Sequence, residues 1–182
     1  MKKLILLCLL SLLIIPIRIT ASSVVSEKPA STTNNSFDYY VRVVKIVDGD
    51  TFFGLTNDRR EVHFRLQGID APEKGQPFSG KSKEKLAELI AGKYVGIKAQ
   101  QKPDRYGRLI VWAYTPEGKD VSAEMLKTGF SWHFRKYDNS AFYSQLETEA
   151  RKNRSGLWTE ANPIEPWNFR KEHNTNNSKK NY

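Results

Sequence analysis

Three β-type segments follow one another before the chain first shows a helical pattern, and this order limits the possible folds more than any other feature. The segments are Tyr39–Val47, Thr51–Leu55 and Glu61–Ile69. In the third segment apolar and polar residues alternate, so Phe64 and Leu66 share one face of the strand and Arg65 lies on the other. The polar turn Asp48-Gly49-Asp50 separates the first two segments. We therefore predict three successive antiparallel strands.

The remaining pattern alternates between helices and strands. We predict a helix over 81–91, strands over Tyr94–Ala99 and Leu109–Tyr114, a short helix after Asp120 and a last helix from Ser140 to Asn153. In the last helix Phe142, Leu146 and Ala150 recur every fourth residue and predict its buried face. The predicted fold is α+β and mainly β: a five-stranded OB-fold barrel with three helices. Such barrels bind nucleic acids or oligosaccharides, and the order of elements alone does not choose between these ligands.

The amino-terminal residues have the pattern of an export signal. Lys2-Lys3 precede the apolar run Leu4–Ile15, which is shorter than the roughly 20 residues of a membrane-spanning helix. We predict a signal peptide over 1–21, a flexible linker over 22–38, a folded domain over 39–168 and a disordered polar tail over 169–182. An uncleaved anchor is the alternative to cleavage near Ala21. The predicted mature protein is a monomer, periplasmic or secreted, without stable membrane insertion.

The cysteine content and the net charge bear on how the fold is stabilised and on what the protein binds. The single cysteine, Cys8, lies within the predicted signal, so the mature chain would hold its fold without disulfides. The formal net charge of +9 is compatible with a phosphate-rich partner. It is equally compatible with a cationic surface that only keeps the protein soluble. The polar tail offers the same choice between plain disorder and a weak contact with polyanions.

Four acidic residues stand near predicted strand ends: Asp48, Asp50, Asp70 and Glu73. Successive antiparallel strands would bring Asp50 and Asp70 to one rim of a barrel. Two carboxylates, a backbone carbonyl and waters form a hard-oxygen site that suits Ca²⁺ and leaves open positions. Taken singly, each acid has an ordinary explanation, and Asp48 is accounted for by the Asp-Gly turn alone.

Two arginines are candidates for binding phosphate. Arg65 lies mid-strand opposite the apolar face, and Arg108 follows the turn Asp104-Arg105-Tyr106-Gly107. Two guanidinium groups on one rim would hold a phosphate through paired hydrogen bonds and remain charged at any working pH. Together with carboxylates and a metal ion, they suit phosphodiester hydrolysis. Solvent-facing salt bridges are the alternative.

The motifs that contain these residues resemble the staphylococcal nuclease (thermonuclease) family. Five blocks carry the resemblance: Val47-Asp48-Gly49-Asp50-Thr51, Phe64-Arg65-Leu66 through Asp70-Ala71-Pro72-Glu73, Gly75-Gln76-Pro77-Phe78, Asp104-Arg105-Tyr106-Gly107-Arg108 and Gly156-Leu157-Trp158. They occur in order, with suitable spacing, between about Tyr39 and Glu160. The blocks are specific as a set, whereas any one of them alone is weak.

The resemblance implies a role for individual residues. Asp50 and Asp70 match the Ca²⁺-binding carboxylates, and the backbone carbonyl of Ala71 matches a third ligand. Arg65 and Arg108 match the phosphate-binding arginines, and Glu73 matches the general base. Arg105 and Tyr106 match residues that line the nucleotide pocket. The block after Gly129 departs from the best-known member, so Tyr137 and Trp132 are base-stacking candidates, with core packing as the alternative for Trp132.

The resemblance also implies an activity. A member of this family would be an exported Ca²⁺-dependent endonuclease that hydrolyses DNA and RNA with little sequence specificity and leaves 3′-phosphate ends. A non-catalytic OB-fold module that only binds nucleic acid is the first alternative. A secreted oligosaccharide-binding barrel is the second. The acidic cluster separates the enzyme from both, because a module that only binds phosphate has no use for carboxylates beside it.

Overall fold

The computed structural model describes residues 36–179, with side chains for 36–173. The strands in this range are β1 (Tyr39–Ile46), β2 (Thr51–Leu55), β3 (Glu61–Leu66), β4 (Ile69–Asp70), β5 (Tyr94–Ala99), β6 (Leu109–Tyr114) and β7 (Trp132–His133). The helices are α1 (Ser79–Ile90), α2 (Val121–Lys127), α3 (Ala141–Lys152) and α4 (Pro166–Lys179), and a 3₁₀ turn spans Gly156–Thr159. No helix within 36–179 is long and apolar enough to cross a membrane.

Five strands close into a barrel in the order β1-β2-β3-β6-β5. β1 pairs antiparallel with both β2 and β5, which closes the barrel, and β3 pairs parallel with β6. The predicted five-stranded OB-type barrel is therefore confirmed. The described part of the chain has four α-helices where the sequence predicted three, because α4 forms beyond the predicted domain boundary.

The alternation along β3 fills the barrel as expected. Phe64 and Leu66 are fully buried, and the ring of Phe64 stacks on that of Phe52 at 5.2 Å between centroids. The Arg65 side chain lies on the opposite face of β3. In the sheet, Arg65 is paired with Thr51 of β2 on one side and with Ile110 of β6 on the other. The same alternation that builds the core therefore turns an arginine toward the outside of the barrel.

Helices α2 and α3 begin where the sequence predicted, each after a capping side chain. Asp120 accepts the backbone N–H of Ala123 at 3.1 Å at the start of α2, and Ser140 accepts that of Tyr143 at 3.2 Å at the start of α3. These side chains satisfy N–H groups that have no partner within the helix.

The predicted buried face of α3 is correct at Ala150, which is buried, and at Leu146, which packs partly buried against the core, but it is wrong at Phe142. Phe142 is 57% exposed, whereas Tyr143 and Glu147 are buried. The Tyr143 hydroxyl donates to Asp120 at 2.6 Å, and Glu147 accepts the backbone N–H of His133 at 3.2 Å. Polar anchors, which an apolar spacing does not reveal, rotate the helix so that the Phe142 side faces solvent.

The structure extends the domain at both ends. Asp38, placed by the sequence in the linker, donates its N–H to the Ile97 carbonyl at 2.8 Å, and its carboxylate accepts the Ala99 N–H at 2.8 Å, so it is attached to β5 just before β1 begins. Residues 169–179, predicted as part of the disordered tail, lie in α4. The predicted signal peptide and residues 22–35 of the linker lie outside the described residues, as do residues 180–182 of the tail.

Gly129, at the end of α2, provides a test of how the 3₁₀ turn is attached to the barrel. Its φ is +73°, its carbonyl accepts the Leu157 N–H at 2.8 Å, and a Cβ there would overlap the Ser155 carbonyl oxygen. Gly92 has the same φ of +73° with open space around it. We expect Gly92→Ala to cost about 1–2 kcal/mol of unfolding free energy from backbone strain, and Gly129→Ala about 1–3 kcal/mol more from the overlap. Urea unfolding of the two variants measures the difference in unfolding free energy. Equal losses in both variants would contradict the close contact between Gly129 and Ser155.

Candidate active site

A cleft of about 980 Å³ lies on one side of the barrel. It is bounded by the β1–β2 turn, the end of β3, β4 with the loop after it, the β5–β6 turn, the segment after β7 and α4. All nine residues singled out by the sequence line it: Asp50, Arg65, Asp70, Ala71, Glu73, Arg105, Tyr106, Arg108 and Tyr137. The chain therefore brings together residues that are up to 87 positions apart in the sequence.

Asp50 is fixed at the start of β2 by two hydrogen bonds. One carboxylate oxygen accepts the Thr51 hydroxyl at 2.9 Å, and the other accepts the Ala71 N–H at 2.8 Å. Its carbonyl accepts the Leu66 N–H at 2.8 Å. These bonds tie the β1–β2 turn to the loop after β4, and Asp50 is only 6% exposed as a result.

Arg65 is held between the two predicted metal ligands. Its Nη2 lies 2.8 Å from the carboxylate of Asp70 and 3.2 Å from that of Asp50, while Nη1 donates to the carbonyls of Leu66 and Ile69 at 2.8 and 2.9 Å. Burial alone would lower the pKa of Arg65, but the neighbouring carboxylates outweigh it and hold that pKa above its ordinary value. The guanidinium is thus a permanent positive charge at the base of the cleft.

Asp70 is the more buried of the two carboxylates, with 1% exposure. β4 positions it by pairing with β7, where Asp70 faces Trp132. Burial, and the negative charge of Asp50, raise the pKa of Asp70 against the opposing effect of nearby arginines. Buried carboxylates of like charge repel each other, and a cation between them relieves that repulsion.

Asp48 does more than shape its turn. One oxygen accepts the Asp50 N–H at 3.0 Å, as the turn requires, but the residue also lines the cleft. Burial and the charge of Asp50 raise the pKa of Asp48 to about 7. The acidic cluster therefore includes a third aspartate beside the two that the sequence marked as ligands.

Glu73 lies at the edge of the cleft, with its side chain 38% exposed. Its backbone N–H donates to the Gln76 side chain at 2.7 Å, which fixes the loop after Pro72. Solvent reaches this carboxylate more easily than those of the two candidate ligands, since the side chains of Asp50 and Asp70 are only 8% and 2% exposed. A carboxylate in this position has access to water, as a general base must.

Arg108 is positioned by Asp104, a residue that the sequence reasoning treated only as part of a turn. One Asp104 oxygen accepts the backbone N–H groups of Tyr106 and Arg108, both at 2.9 Å, and the other accepts Nε of Arg108 at 2.8 Å. Nη1 of Arg108 lies 3.4 Å from the Thr51 hydroxyl, beside Asp50. Burial would raise the pKa of Asp104, but its bonds to Arg108 and Tyr106 dominate and lower it, so the pair stays charged.

Two exposed tyrosines stand at the rim of the cleft. Tyr106 is 64% and Tyr137 is 62% exposed, and neither belongs to the buried core. Arg105 lies over the Tyr106 ring at 4.7 Å, and Lys136 over the Tyr137 ring at 5.5 Å. By contrast Trp132 is 4% exposed in a second apolar cluster, so core packing is its role here. Flat rings beside cations suit the stacking of unpaired bases.

Sequence reasoning missed Arg170, which α4 places in the cleft. Its guanidinium contacts the carboxylates of both Asp70 and Glu73. One signal was present in the sequence, because Pro166 stands at the first position of α4, where proline favours the start of a helix. Nothing in the sequence indicates that this helix reaches the acidic cluster.

The donor set has the chemistry of a hard cation site with few protein ligands. Among the described residues, no three His, Cys, Asp or Glu side chains form a ready-made metal cage. The candidate ligands are oxygen atoms, and each of the two buried aspartates attracts a guanidinium group. These contacts show that the carboxylates favour a positive charge beside them, and a divalent ion that prefers oxygen ligands fits the residues present.

One cleft of this OB-type barrel contains both buried carboxylates and arginines. This combination is typical of proteins that act on phosphate groups. A family model described as staphylococcal nuclease homologue matches residues 63–160. An uncharacterised endonuclease of Escherichia coli O157:H7 is 38% identical over 133 residues, which cover 73% of this chain and 86% of the relative. An uncharacterised endonuclease of Haemophilus influenzae is 39% identical over 135 residues, or 74% and 75% of the two chains. A micrococcal nuclease of Shigella flexneri is 36% identical over 144 residues, or 74% and 82%.

The chain therefore belongs to the staphylococcal nuclease family, as its motifs indicated. It is a nuclease built on an OB-type barrel, and nucleic acid is its substrate class.

Proposed function

We propose that this nuclease is an exported Ca²⁺-dependent endonuclease that hydrolyses phosphodiester bonds in DNA and RNA, with little sequence specificity, and leaves 3′-phosphate ends. One observation carries the proposal: Asp50, Asp70, Glu73, Arg65 and Arg108 all line one cleft. A module that only binds nucleic acid would gain nothing from buried carboxylates that repel the phosphate. The similarity to proteins described as endonucleases supports the same assignment.

Asp50, Asp70 and the Ala71 carbonyl are the proposed ligands of the ion. When bound, Ca²⁺ supplies a Lewis acid that neutralises charge on the phosphate. Asp50 is suited to ligation because Ala71 and Thr51 fix both of its oxygens in direction. The raised pKa of Asp70, caused first by burial, is of the kind that a nearby cation lowers again.

Arg65 and Arg108 are proposed to bind the phosphate that is cleaved. Both are charged at any working pH, and both are held by carboxylates, Arg65 by Asp70 and Arg108 by Asp104. Guanidinium groups fixed in this way need little reorganisation when negative charge grows in the transition state. Glu73 is the proposed base: it accepts a proton from the attacking water as the oxygen of that water forms its bond to phosphorus. The bond from phosphorus to the 5′ oxygen breaks, and that oxygen leaves as a hydroxyl after taking a proton from solvent, which leaves the phosphate on the 3′ end.

The rim explains why little base selectivity is expected. Tyr106, Tyr137 and Arg105 offer ring faces and cations, which accept any base, and the arginines below them contact phosphate, which carries no sequence. The backbone of Tyr137 is held by Gln67, whose side-chain amide donates to its carbonyl at 2.9 Å. The stacking surface is thus anchored to the barrel, and the Tyr137 ring, which packs edge-on against Phe134, keeps most of its surface exposed.

Export and a monomeric state belong to the same proposal. The support for export lies in the residues: a charged start followed by an apolar run at Leu4–Ile15. Residues 1–35 lie outside the described part of the chain, so this support comes from the sequence pattern alone.

The proposal predicts that cleavage depends on the metal ion. The chain from residue 22 onward is incubated with single- and double-stranded DNA and with RNA, in Ca²⁺ or in a calcium chelator, and the ends of the products are analysed. We expect internal cuts in all three substrates with Ca²⁺, 3′-phosphate ends, and a loss of at least about 100-fold in rate with the chelator. Binding without cleavage in Ca²⁺ would favour the non-catalytic module. Full activity in Mg²⁺ with the calcium chelator present would overturn the choice of ion.

A further inference from the structure

Arg170 occupies the acidic end of the cleft as an internal cation. Its Nη2 lies 2.7 Å from one oxygen of Asp70, and its Nη1 lies 3.3 Å from the other and also contacts Glu73. The side chain of Arg170 is 39% exposed, so it lies on the solvent side of Asp70, whereas the less exposed Arg65 approaches Asp70 from β3 at the base of the cleft. Asp70 therefore has a guanidinium on either side.

The contact follows from how α4 is docked. Trp167 stacks on Phe134 with ring centroids 5.2 Å apart and planes 2° from parallel. The Gln76 amide donates to the Ile164 carbonyl at 3.1 Å, while the Gln76 oxygen accepts the Glu73 N–H. One side chain thus links the loop of Glu73 to the segment that leads into α4. Arg170 follows Trp167 by three residues, so it lies on the same side of the helix as the anchor.

We propose that Arg170 is a built-in competitor of the divalent ion: its guanidinium holds the carboxylate oxygens of Asp70 and Glu73 until a metal ion displaces it. This inference rests on the proposed function only in taking Asp70 as a metal ligand. A guanidinium and a divalent cation at the same carboxylate repel each other, so each weakens the binding of the other. The apparent metal affinity is then the intrinsic affinity multiplied by the fraction of molecules in which Arg170 is displaced.

The competition also covers the proposed base. While Arg170 contacts Glu73, the carboxylate lone pair that would accept a proton from water is engaged with an N–H donor. Displacement of one side chain therefore frees a metal ligand and the base together. The nuclease would remain inactive at low metal concentration even with nucleic acid bound, and α4 would stay docked through Trp167 throughout.

The test measures metal binding directly, without nucleic acid. Ca²⁺ is titrated calorimetrically into the wild-type chain and into R170Q, which removes the charge and keeps a polar side chain. Because Arg170 is partly exposed, we expect binding about 3- to 10-fold tighter in R170Q. The matched control is R42Q, which removes the same charge from an exposed position on β1 away from the cleft and should leave the affinity unchanged.

A second variant checks that the effect acts through the docked helix. W167A removes the stack on Phe134, so it should also tighten Ca²⁺ binding, and the double variant with R170Q should gain little more than either alone. F142A, which removes an aromatic ring that is 57% exposed, is the control for W167A. Additive gains, or a gain in F142A, would contradict the proposed route.

The outcomes separate this inference from the proposed function. Unchanged Ca²⁺ affinity in R170Q overturns the inference whether or not the protein cuts nucleic acid. Unchanged affinity with a loss of cleavage would instead make Arg170 a third phosphate contact. Tighter binding in R170Q without cleavage by either protein supports the competition and rejects the nuclease mechanism. Tighter binding together with cleavage at lower Ca²⁺ supports both.

Discussion

Replacing Glu73 with glutamine lowers the rate of DNA cleavage by about 10²- to 10⁴-fold, because the amide cannot accept the proton of the attacking water. Glutamine has nearly the same shape, so it preserves the backbone bond from Glu73 to Gln76 and the packing of the loop. The substitution also removes the ion pair with Arg170, but both side chains are partly exposed, so the cost in unfolding free energy should be at most about 1 kcal/mol. The measurement is kcat on single-stranded DNA at saturating Ca²⁺, with the urea midpoint recorded for the same sample.

Glu61→Gln is the matched control for this substitution. Glu61 is an exposed acid at the start of β3 and does not line the cleft. It should leave kcat unchanged, which shows that loss of one negative charge is not itself the cause. A Glu73→Gln enzyme with a kcat within about threefold of wild type would rule out Glu73 as the base. A fall in kcat accompanied by a lower urea midpoint would point instead to a structural role.

The sequence predicted the barrel well because its strands carry local signals. Alternation in β3 marks a half-buried strand, and the turn at Gly49 marks where β1 ends. Asp120 and Ser140 mark the helix starts, and both act as caps in the structure. Each of these signals lies within a few residues of the element that it defines, so physical rules about neighbours in the chain are enough to read it.

The candidate site was predicted from motifs for a related reason. Asp50 and Asp70 lie at the ends of short elements, and motif spacing records that position even when the distance in space is unknown. Motif spacing does not show which residue forms a hydrogen bond or ion pair with each site side chain. The support of Arg108 by Asp104 and the bond from the Ala71 N–H to Asp50 both depend on atoms that meet only in the folded chain.

The features that sequence reasoning missed are those set by contacts between distant segments. α3 buries Tyr143 instead of Phe142 because Asp120, on another element, accepts the Tyr143 hydroxyl. Arg170 reaches Asp70 across 100 positions because Trp167 stacks on Phe134. The sequence of residues 169–179 predicts a polar tail because these residues have almost no apolar face. The residue that anchors the helix, Trp167, lies just before them.

Replacing Arg65 with leucine removes both stability and activity, the second large effect that we expect. Asp50 and Asp70 would keep their charges in a buried setting without the guanidinium that lies between them. Breaking a buried ion pair from one side typically costs about 3–5 kcal/mol of unfolding free energy. Arg170 still contacts Asp70, so the loss should fall near the lower end of that range. Cleavage should fall by at least about 100-fold, because a phosphate contact is lost as well.

The pH dependence identifies the source of the lost stability. In metal-free buffer, removal of Arg65 should raise the pKa of Asp70 further above its ordinary value, where burial already holds it. A carboxyl whose pKa is higher in the folded state than in the unfolded state binds protons more tightly when folded, so its penalty shrinks as the pH falls. The deficit of Arg65→Leu, measured by urea unfolding, should therefore be smaller at pH 5 than at pH 7. A deficit that is independent of pH would mean that lost packing, and not unpaired charge, is responsible.

Arg65→Lys separates stability from catalysis. A lysine keeps the positive charge between Asp50 and Asp70, so most of the unfolding free energy should return. It lacks the planar fork that donates to two carbonyls and a carboxylate at once, and it grips a phosphate as a point charge only. Cleavage should therefore remain at least about tenfold below wild type while the urea midpoint approaches it. Recovery of both together would show that the cleft needs only a charge at this position. Recovery of the midpoint alone would show that the direction of the donors matters, as expected where two carboxylates and a phosphate share one guanidinium.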